Sequence, residues 1–335
     1  MVEKRGGRTT LVDVAQAAGV SRALVSIVMR GAPGASDETR DRVLRIADEM
    51  GYVPDQRARK LRQSSSRLLG VTFELREPFH GDLVEEIYRA AAEAGYDVVI
   101  SAVAPSRSES NAVDTVLRER CEAAILLGPR FDDIELSTIV ERLPVVVVAR
   151  AGDDPRAGYV RSDDSAGIGL AVDHLVELGH TAIVHIDGGD APGAHERRSG
   201  FRAAMSRRGF GAGPRVVPGG LGQIDGARAM DAVLEGGDPP TAVIAFNDDC
   251  ATGVIDTIIR AGKTVPEDIS VVGYDDARLA SGLRVPLTTV SQDARQMADD
   301  AVIGVLSMID GGDPPAIVGR PRLVIRGTTA TRPTA

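Results

Sequence analysis

The sequence is poor in the residues that build disulfide frameworks and metal centres. Its 335 residues include only two cysteines, Cys121 and Cys250, and five scattered histidines. The two cysteines lie far apart in segments with the pattern of buried core, so we expect reduced packing residues rather than a disulfide. The histidines and cysteines do not recur at the spacing of metal ligands. We therefore expect neither a metal nor another cofactor.

Long hydrophobic runs are also missing. No stretch is long enough to span a membrane, and the polar, basic first residues lack the apolar core of a signal peptide. We therefore expect a cytoplasmic protein without membrane contacts.

Enzyme motifs are equally scarce. The sequence has no Gly-x-Ser-x-Gly nucleophile elbow and no His-Glu-x-x-His zinc motif. Gly262-Lys263-Thr264 resembles the end of a phosphate loop, but Thr257 stands where that loop requires its first glycine. We expect no catalytic residues.

Charge divides the chain into two unequal parts. Residues 1–63 contain twelve Lys and Arg against eight Asp and Glu, a net charge of +4, whereas the remaining residues carry −13. A basic segment favours contact with phosphates, and an acidic remainder disfavours nonspecific wrapping of nucleic acid. The length suits a small head followed by a large core.

The basic head has the pattern of a helix-turn-helix. Two short apolar-periodic segments, Leu11–Ala18 and Arg22–Met29, are joined by Gly19-Val20-Ser21, in which Ser21 is placed to cap the second helix. A third helix is predicted after Ser36. Because the second helix of such a unit enters the major groove of DNA, the pattern predicts a DNA-binding head.

The first residues of the second helix face base edges in this arrangement. Arg22 can form a bidentate contact with guanine, whereas Ala23 and Ile27 offer apolar contacts to bases. Three nearby hydroxyl side chains are predicted to bind DNA phosphates, which set register rather than sequence: Thr10, Ser21 and Ser26.

From Leu68 onward, short β-rich runs alternate with amphipathic helices. This alternation predicts parallel sheets with helices on both faces, arranged as two similar lobes. The predicted strands are Leu69–Phe73, Tyr96–Ser101, Ala123–Leu127, Pro144–Ala149, Ala182–Ile186, Ala242–Ala245 and Ile269–Val272. Ligands bind at the C-terminal ends of such strands. The polar residues at those ends are Arg150, Asp187, Asn247, Asp248, Asp275 and Asp276.

Short ordered motifs recur along nearly the whole chain. The motifs of the head are Thr10-Leu11, Asp13-Val14-Ala15, Ala18-Gly19-Val20-Ser21, Val25-Ser26, Thr39-Arg40, Arg42-Val43, Gly51-Tyr52-Val53-Pro54 and Ala58-Arg59-Lys60-Leu61-Arg62. Those of the core are Leu178-Gly179-His180, Arg197-x-x-Gly200-Phe201, Phe246-Asn247-Asp248, Ile269 to Asp276 and Leu287-Thr288-Thr289-Val290. Together these motifs resemble the LacI/GalR family of bacterial transcription regulators. The resemblance implies a helix-turn-helix head joined to a periplasmic-binding-protein-like core of two doubly wound parallel-sheet lobes.

In that family a hinge segment folds on the operator and enters the minor groove. The resemblance assigns this role to four residues of the segment after Pro54, among which Leu61 would wedge between base pairs and kink the DNA: Ala58, Arg59, Leu61 and Arg62. The head departs from the family pattern at Arg30, which replaces a usual Asn. We expect Arg30 to supply a phosphate contact instead.

The family binds a sugar, nucleobase or related metabolite between the lobes. Carried over by position, Arg197, Asn247 and Asp275 are expected to line this cleft, together with Phe201 of the Arg197 motif. Charged and amide groups suit a polyhydroxylated ligand. Phe79 is placed to stack on a ring face. The chain departs from the family pattern at Glu77, His80 and Arg150, so the resemblance does not identify the ligand; His80 and Arg150 remain candidate effector contacts.

The sequence thus predicts three parts: a DNA-binding domain at 1–53, a hinge and linker at 54–66, and a two-lobed effector and dimerisation domain at 67–335. We expect a homodimeric repressor that binds a palindromic operator and responds to a small molecule, with a sugar as the expected class. Two alternatives stay open. The core alone would fit a secreted binding protein, and the cleft could sense a partner protein rather than a metabolite.

Overall fold

The computed structural model describes residues 9–29, 31–52, 65–211 and 215–332. The chain divides into two compact units, Met1–Ser66 and Arg67–Ala335.

The described residues of the first unit form three helices, α1 Leu11–Ala18, α2 Arg22–Met29 and α3 Asp37–Glu49. Thr10 and Asp13 form a reciprocal capping box at the start of α1, and Gly19 ends that helix with a φ of 65°. The chain changes direction by 105° at the turn between α1 and α2. The predicted bounds of both helices are confirmed. Their shared core contains Val14, Val25, Val28, Val43 and Ala47.

Within the described residues, no single helix has the length and apolar character needed to cross a membrane; only α1 and α2 taken together, with the bend between them, reach that length and composition.

The second unit consists of two lobes of similar construction. The first lobe contains β1 Leu68–Glu74, α4 Pro78–Glu93, β2 Asp97–Val103, α5 Glu109–Arg118, β3 Ala123–Leu127, α6 Asp133–Val140, β4 Val145–Val148, β5 Gly158–Ser162, α12 Ala294–Ile309 and β11 Ala316–Gly319. Its sheet has the strand order β11-β5-β4-β3-β1-β2 and every pairing is parallel.

The second lobe repeats the plan. It contains α7 Asp164–Glu177, β6 Ile183–Asp187, α8 Ala194–Arg207, β7 Arg215–Pro218, α9 Gln223–Glu235, β8 Ala242–Ile244, α10 Asp248–Arg260, β9 Ser270–Asp275, α11 Arg278–Gly282, β10 Thr288–Ser291 and β12 Arg322–Val324. The strand order is β12-β10-β9-β8-β6-β7, in which β12 alone is antiparallel to its neighbour. The predicted fold, a helical head with two parallel-sheet lobes, is confirmed.

The chain crosses between the lobes three times, near residues 162–164, 291–294 and 319–322. The first and third crossings touch, because the Asp163 N–H donates to the Gly319 carbonyl at 3.0 Å. After the second crossing, α12 returns to the first lobe and packs Met297, Ala301 and Val305 into its core. Each lobe is therefore completed by a distant part of the sequence.

All seven predicted strands are present, with ends that match or differ by at most three residues. The strands that the pattern did not predict, β5, β7, β10, β11 and β12, are three to five residues long. Of the two cysteines, Cys250 is buried in α10 as expected, whereas Cys121 is partly exposed.

Helices α9 and α10 approach each other through glycine. A Cβ placed on Gly253 would lie 1.8 Å from the Gln223 carbonyl oxygen, and one on Gly226 would lie 2.1 Å from the Cys250 carbonyl oxygen. Both obstacles are backbone atoms, which cannot turn away as a side chain can. The contact between the two helices therefore requires glycine at both positions.

We expect Gly253→Ala to lower the free energy of unfolding by about 1–3 kcal/mol, because the new methyl group must force the two helices apart. Gly81→Ala in the exposed first turns of α4 is the matched control, since a Cβ there meets nothing within 4 Å. Alanine should stabilise this helix by about 0.5–1 kcal/mol. Urea unfolding of both variants measures the two effects, and equal effects would contradict this account of the helix contact.

Candidate functional sites

The exposed end of α2 carries the side chains predicted to meet base edges. The Ser21 hydroxyl caps this helix by accepting the Leu24 N–H at 3.1 Å. Arg22 and Ala23 are exposed, whereas Ile27 is partly buried. Because the buried faces of α2 pack against α1 and α3, these N-terminal residues are left free to contact a ligand.

The predicted phosphate-binding hydroxyls also serve the head itself. Thr10 Oγ1 donates to Asp13 Oδ2 at 2.7 Å, and its backbone N–H donates to the same carboxylate oxygen at 2.8 Å. Ser26 is partly exposed on α2. Because a DNA phosphate only accepts hydrogen bonds, a phosphate contact by the Thr10 hydroxyl would have to displace its hydrogen bond to Asp13 Oδ2. The remaining predicted DNA contacts lie outside the described residues: Arg30, Ala58, Arg59, Leu61 and Arg62.

A cavity of about 60 Å³ lies between the two lobes of the second unit. The first lobe contributes Glu74, Glu77, Phe79, His80, Gly128, Arg130 and Ala149; the second contributes Ala191, Pro192, Arg197, Leu221, Phe246, Asn247 and Asp275, and Gln292 comes from the second crossing. The structure thus brings five predicted effector residues together: Phe79, His80, Arg197, Asn247 and Asp275. The space suits a few water molecules, so a ligand of sugar size requires the lobes to move apart.

Arg197 is buried at the centre of the second lobe's wall, with 5% of its surface exposed. Its Nε donates to Asp164 Oδ1 at 2.8 Å, a terminal nitrogen donates to the Phe246 carbonyl at 2.8 Å, and another lies 3.6 Å from Asp275 Oδ1. The guanidinium also stacks over the Tyr274 ring, 3.7 Å from its centroid. Arg197 therefore organises the wall as well as facing the cleft.

Asp275 ends strand β9 with a backbone φ of 105°, a conformation that residues with a Cβ rarely adopt. Its Oδ1 accepts a hydrogen bond from Gln292 Nε2 at 2.7 Å. Burial raises the pKa of Asp275 to about 6, although Arg197 and Gln292 oppose the shift. The strained backbone of Asp275 and its buried carboxylate, whose ionisation is unfavourable, both lie at the cleft, where a bound ligand would contact them.

Asn247 connects a helix cap with the opposite lobe. Its Oδ1 accepts the Cys250 N–H at 2.8 Å at the start of α10, and its Nδ2 donates to Glu77 Oε2 at 3.4 Å across the cleft. Asp248 is buried beside it and accepts hydrogen bonds from the Thr289 hydroxyl at 2.6 Å and the Ala277 N–H at 2.7 Å. The predicted strand-end residue Asp248 thus supports the cleft wall from behind.

The first lobe places two polar groups opposite this wall. His80 Nδ1 accepts the Glu74 N–H at 3.1 Å, which leaves the ring proton on Nε2. Burial lowers the pKa of His80 to about 4, so the imidazole is neutral near pH 7. Burial and neighbouring carboxylates raise the pKa of Glu77 to about 8. Glu77 and His80, two of the three departures from the family pattern in this region, therefore lie in the cleft.

Three predicted effector residues do not line the cavity. Phe201 is fully buried in the second lobe's core, where its ring packs 5.4 Å from that of His185, so the prediction for Phe201 is wrong. Arg150 donates to the Pro129 and Phe131 carbonyls and supports a loop of the first lobe. Asp187 forms a salt bridge with Arg198.

Nine residues of the cavity lining were not predicted from the sequence: Glu74, Gly128, Arg130, Ala149, Ala191, Pro192, Leu221, Phe246 and Gln292. Phe246 directly precedes a residue that was predicted and so carried a positional signal, whereas Gln292 follows β10, a strand that was not predicted. Glu74 lies at the end of β1 and Arg130 follows β3, and both line the cavity because this edge of the first-lobe sheet faces the second lobe. No local sequence pattern predicts how the two lobes face each other.

A second set of contacts joins the lobes at the edge of the cleft. The Arg278 N–H donates to Asp82 Oδ2 at 2.9 Å, and the Arg278 guanidinium pairs with both Asp82 and Glu85 of α4. Arg278 is 71% exposed, so these ion pairs are solvated and individually weak. We call this set, Asp82, Glu85 and Arg278, the interlobe latch.

A basic three-helix head and a two-lobed core with a polar cleft define a class of DNA-binding regulators that sense small molecules. Comparison with known proteins gives the same class. Residues 10–55 match the family described as bacterial regulatory proteins, lacI family, and residues 172–329 match the periplasmic binding protein-like domain.

A curated relative, the HTH-type transcriptional regulator MalR of Streptomyces coelicolor, is 36% identical over 97% of this chain and 98% of its own length. A LacI transcriptional regulator structure from a Rhodococcus species is 58% identical, with a TM-score of 0.77 over 80% of this chain and all of its own. The lac repressor dimer bound to operator and the anti-inducer ONPF is 30% identical, with a TM-score of 0.80 over 97% of this chain and all of its own.

The chain belongs to the LacI family of transcription regulators. It is a DNA-binding regulator of transcription, as its relatives are, and not an enzyme. The predicted family is confirmed.

Replacing the buried arginine tests its structural role. We expect Arg197→Met to lower the free energy of unfolding by about 3–5 kcal/mol, because Asp164 and Asp275 would stay buried without their partner. Arg202→Met, on the exposed face of the same helix, is the matched control and should change stability by less than about 0.5 kcal/mol. Similar urea midpoints for both variants would show that Arg197 does not hold the wall together.

The protonation of Glu77 should appear in the pH dependence of stability. Its pKa is about 8 in the folded protein against an ordinary 4.5, so the folded state binds more protons between these values and loses stability as pH rises from 4.5 to 8. We expect Glu77→Gln to remove this loss, at most about 1.4 kcal/mol per pH unit. Urea unfolding of both proteins across this range measures the difference, and parallel pH profiles would refute the raised pKa.

Proposed function

We propose that this chain is a repressor that binds a palindromic operator as a homodimer in the cytoplasm and responds to a small polyhydroxylated effector in the cleft. The supporting observation is the combination, in one chain, of a helix-turn-helix with exposed Arg22 and an interlobe cavity lined by Arg197, Asn247 and Asp275. Two-fold proteins bind two-fold sites, so each head would contact one half of the operator.

We assign residues 1–53 to DNA binding, 54–66 to the hinge and linker, and 67–335 to effector binding and dimerisation. Arg22, Ala23 and Ile27 would contact bases, and Leu61 would enter the minor groove. Supporting contacts would come from Thr10, Ser21, Ser26, Arg30, Ala58, Arg59 and Arg62.

In the cleft, we assign direct effector contacts to Phe79, His80, Asn247 and Asp275, with Arg197 fixing the wall behind them. An amide, a carboxylate and an imidazole N–H offer both donors and acceptors, which is what neighbouring hydroxyl groups require. The rings of Phe79 and Phe246 offer apolar surface for a sugar ring face.

Effector binding would reach the DNA through lobe movement. Because the cavity is small, entry of a sugar widens the cleft and changes the angle between the lobes about the three crossings. This movement would alter the spacing of the two hinge segments in the dimer. The coupling is reciprocal, so the operator must change effector affinity by the same factor.

Operator selection from random DNA with the full-length protein, repeated with a panel of sugars and nucleosides, tests the proposal. A palindromic site whose enrichment changes with one compound identifies the operator, the effector and the sign of control. Failure to enrich any site would overturn the proposed function. A site that no compound affects would contradict the small-molecule part and favour a protein co-regulator.

Base contact by Arg22 predicts a local change in specificity. We expect Arg22→Ala to lose about 1–3 kcal/mol of discrimination at one base pair of each half-site, with smaller changes elsewhere. Arg42→Ala, which removes the same charge from exposed α3, is the matched control. Binding to a set of single-base operator variants measures the effect. A uniform loss across all variants would place Arg22 on phosphate instead.

A further inference from the structure

The cleft contains a carboxylate that the fold of its own lobe does not use. Glu77 occupies the N-cap position of α4, yet its side chain makes no capping hydrogen bond. Its hydrogen-bond partner among the described residues is Asn247 Nδ2, at 3.4 Å in the other lobe. The carboxylate therefore faces the cavity, and widening of the cleft would remove this one contact.

Negative charge surrounds Glu77. The carboxylates of Glu74, Asp249 and Asp275 act on it, against one opposing guanidinium, that of Arg130. The second arginine of the cavity wall, Arg197, is already occupied by Asp164, Asp275 and the Phe246 carbonyl. The electrostatic potential at Glu77 is therefore negative, which attracts a positive group and repels a negative one.

A neutral hydrogen-bond donor lies beside this carboxylate. His80 is 7% exposed and lines the cavity, and its Nδ1 is occupied by the Glu74 N–H. The protonated Nε2 has no hydrogen-bond partner within the described residues. Such a donor requires an acceptor oxygen on whatever occupies the cleft.

We propose that the effector is an amine-bearing polyol, such as an amino sugar, whose ammonium group pairs with the Glu77 carboxylate while a hydroxyl oxygen accepts from His80 Nε2. This inference rests on the proposed function, because it specifies the ligand of the same cleft. It identifies Glu77 as the residue that determines the specificity for amine ligands over their neutral hydroxyl counterparts.

Proton binding at Glu77 supports this assignment. Burial, and after it the surrounding carboxylates, raise the pKa of Glu77 to about 8, so at pH 7 its carboxyl group holds a proton. An ammonium group at the same place compensates the same negative potential and replaces that proton. A neutral hydroxyl gains no comparable Coulomb energy, and an anionic group would meet three further carboxylates.

The test uses the full-length protein at pH 7 and isothermal titration calorimetry with matched pairs: glucosamine and glucose, galactosamine and galactose, mannosamine and mannose. We expect at least one amine to bind about tenfold or more tighter than its hydroxyl counterpart, a difference of about 1.4 kcal/mol. Titration in buffers of different ionisation enthalpy should show a net release of protons on amine binding, since the pKa of Glu77 is about 8 and its carboxyl group holds a proton at pH 7.

The Glu77→Gln variant keeps the size of the side chain and removes its charge. It should abolish both the preference for the amine and the proton release, whereas Glu93→Gln, at the exposed end of the same helix, should keep both. Absence of an amine preference in every pair, or its survival in Glu77→Gln, would overturn the inference. Operator binding measured on the same samples separates this result from failure of the proposed function, which would appear as absent operator binding in the wild-type protein.

Discussion

The structure of the cleft depends on one buried ion-pair network, in which Arg197 joins α8 to Asp164 at the start of α7 and to Asp275 at the end of β9. A buried guanidinium is tolerated only when its charge is paired and its donors are satisfied. The Phe246 carbonyl and the Tyr274 ring complete that environment. As a result, the backbone of Asp275 is held at a φ of 105° and its carboxylate stays at the ligand-facing end of the strand.

Local signals in the sequence predicted the head and most of the strands, because caps and periodicity act over a few residues. Thr10 and Gly19 define the ends of α1 in the sequence as they do in the structure. Side-chain exposure was harder to predict. Phe201 lies four residues after Arg197, so both face the same side of α8, yet the core of the second lobe covers Phe201 completely. Glu77 was noticed as a departure from the family, but its position opposite Asn247 arises only when the two lobes meet.

The cleft concentrates groups that are costly to keep there. Asp248 is buried with a pKa raised well above its ordinary range by burial and by the nearby Asp275 carboxylate, and hydrogen bonds from Thr289 and Ala277 only partly offset this. Asp275 and Asp276 both have positive φ angles. Rigid parallel sheets hold these unfavourable groups in and behind the cleft wall. Of the three, Asp275 lines the cavity, so a ligand that satisfies its carboxylate gains binding energy that the unliganded protein lacks.

The interlobe contacts explain how such a site can act as a switch. Asn247 and Glu77 are 3.4 Å apart, and the latch formed by Asp82, Glu85 and Arg278 is largely exposed to solvent. Contacts of this kind contribute little to stability, so they oppose a change in the angle between the lobes only weakly. A ligand shifts the balance between two arrangements of the lobes only by the ratio of its affinities for them. Helix α12 and strand β11 belong to the first lobe, although they follow strands of the second lobe in the sequence. A change in the angle between the lobes must therefore bend all three crossings together, and it cannot separate the lobes.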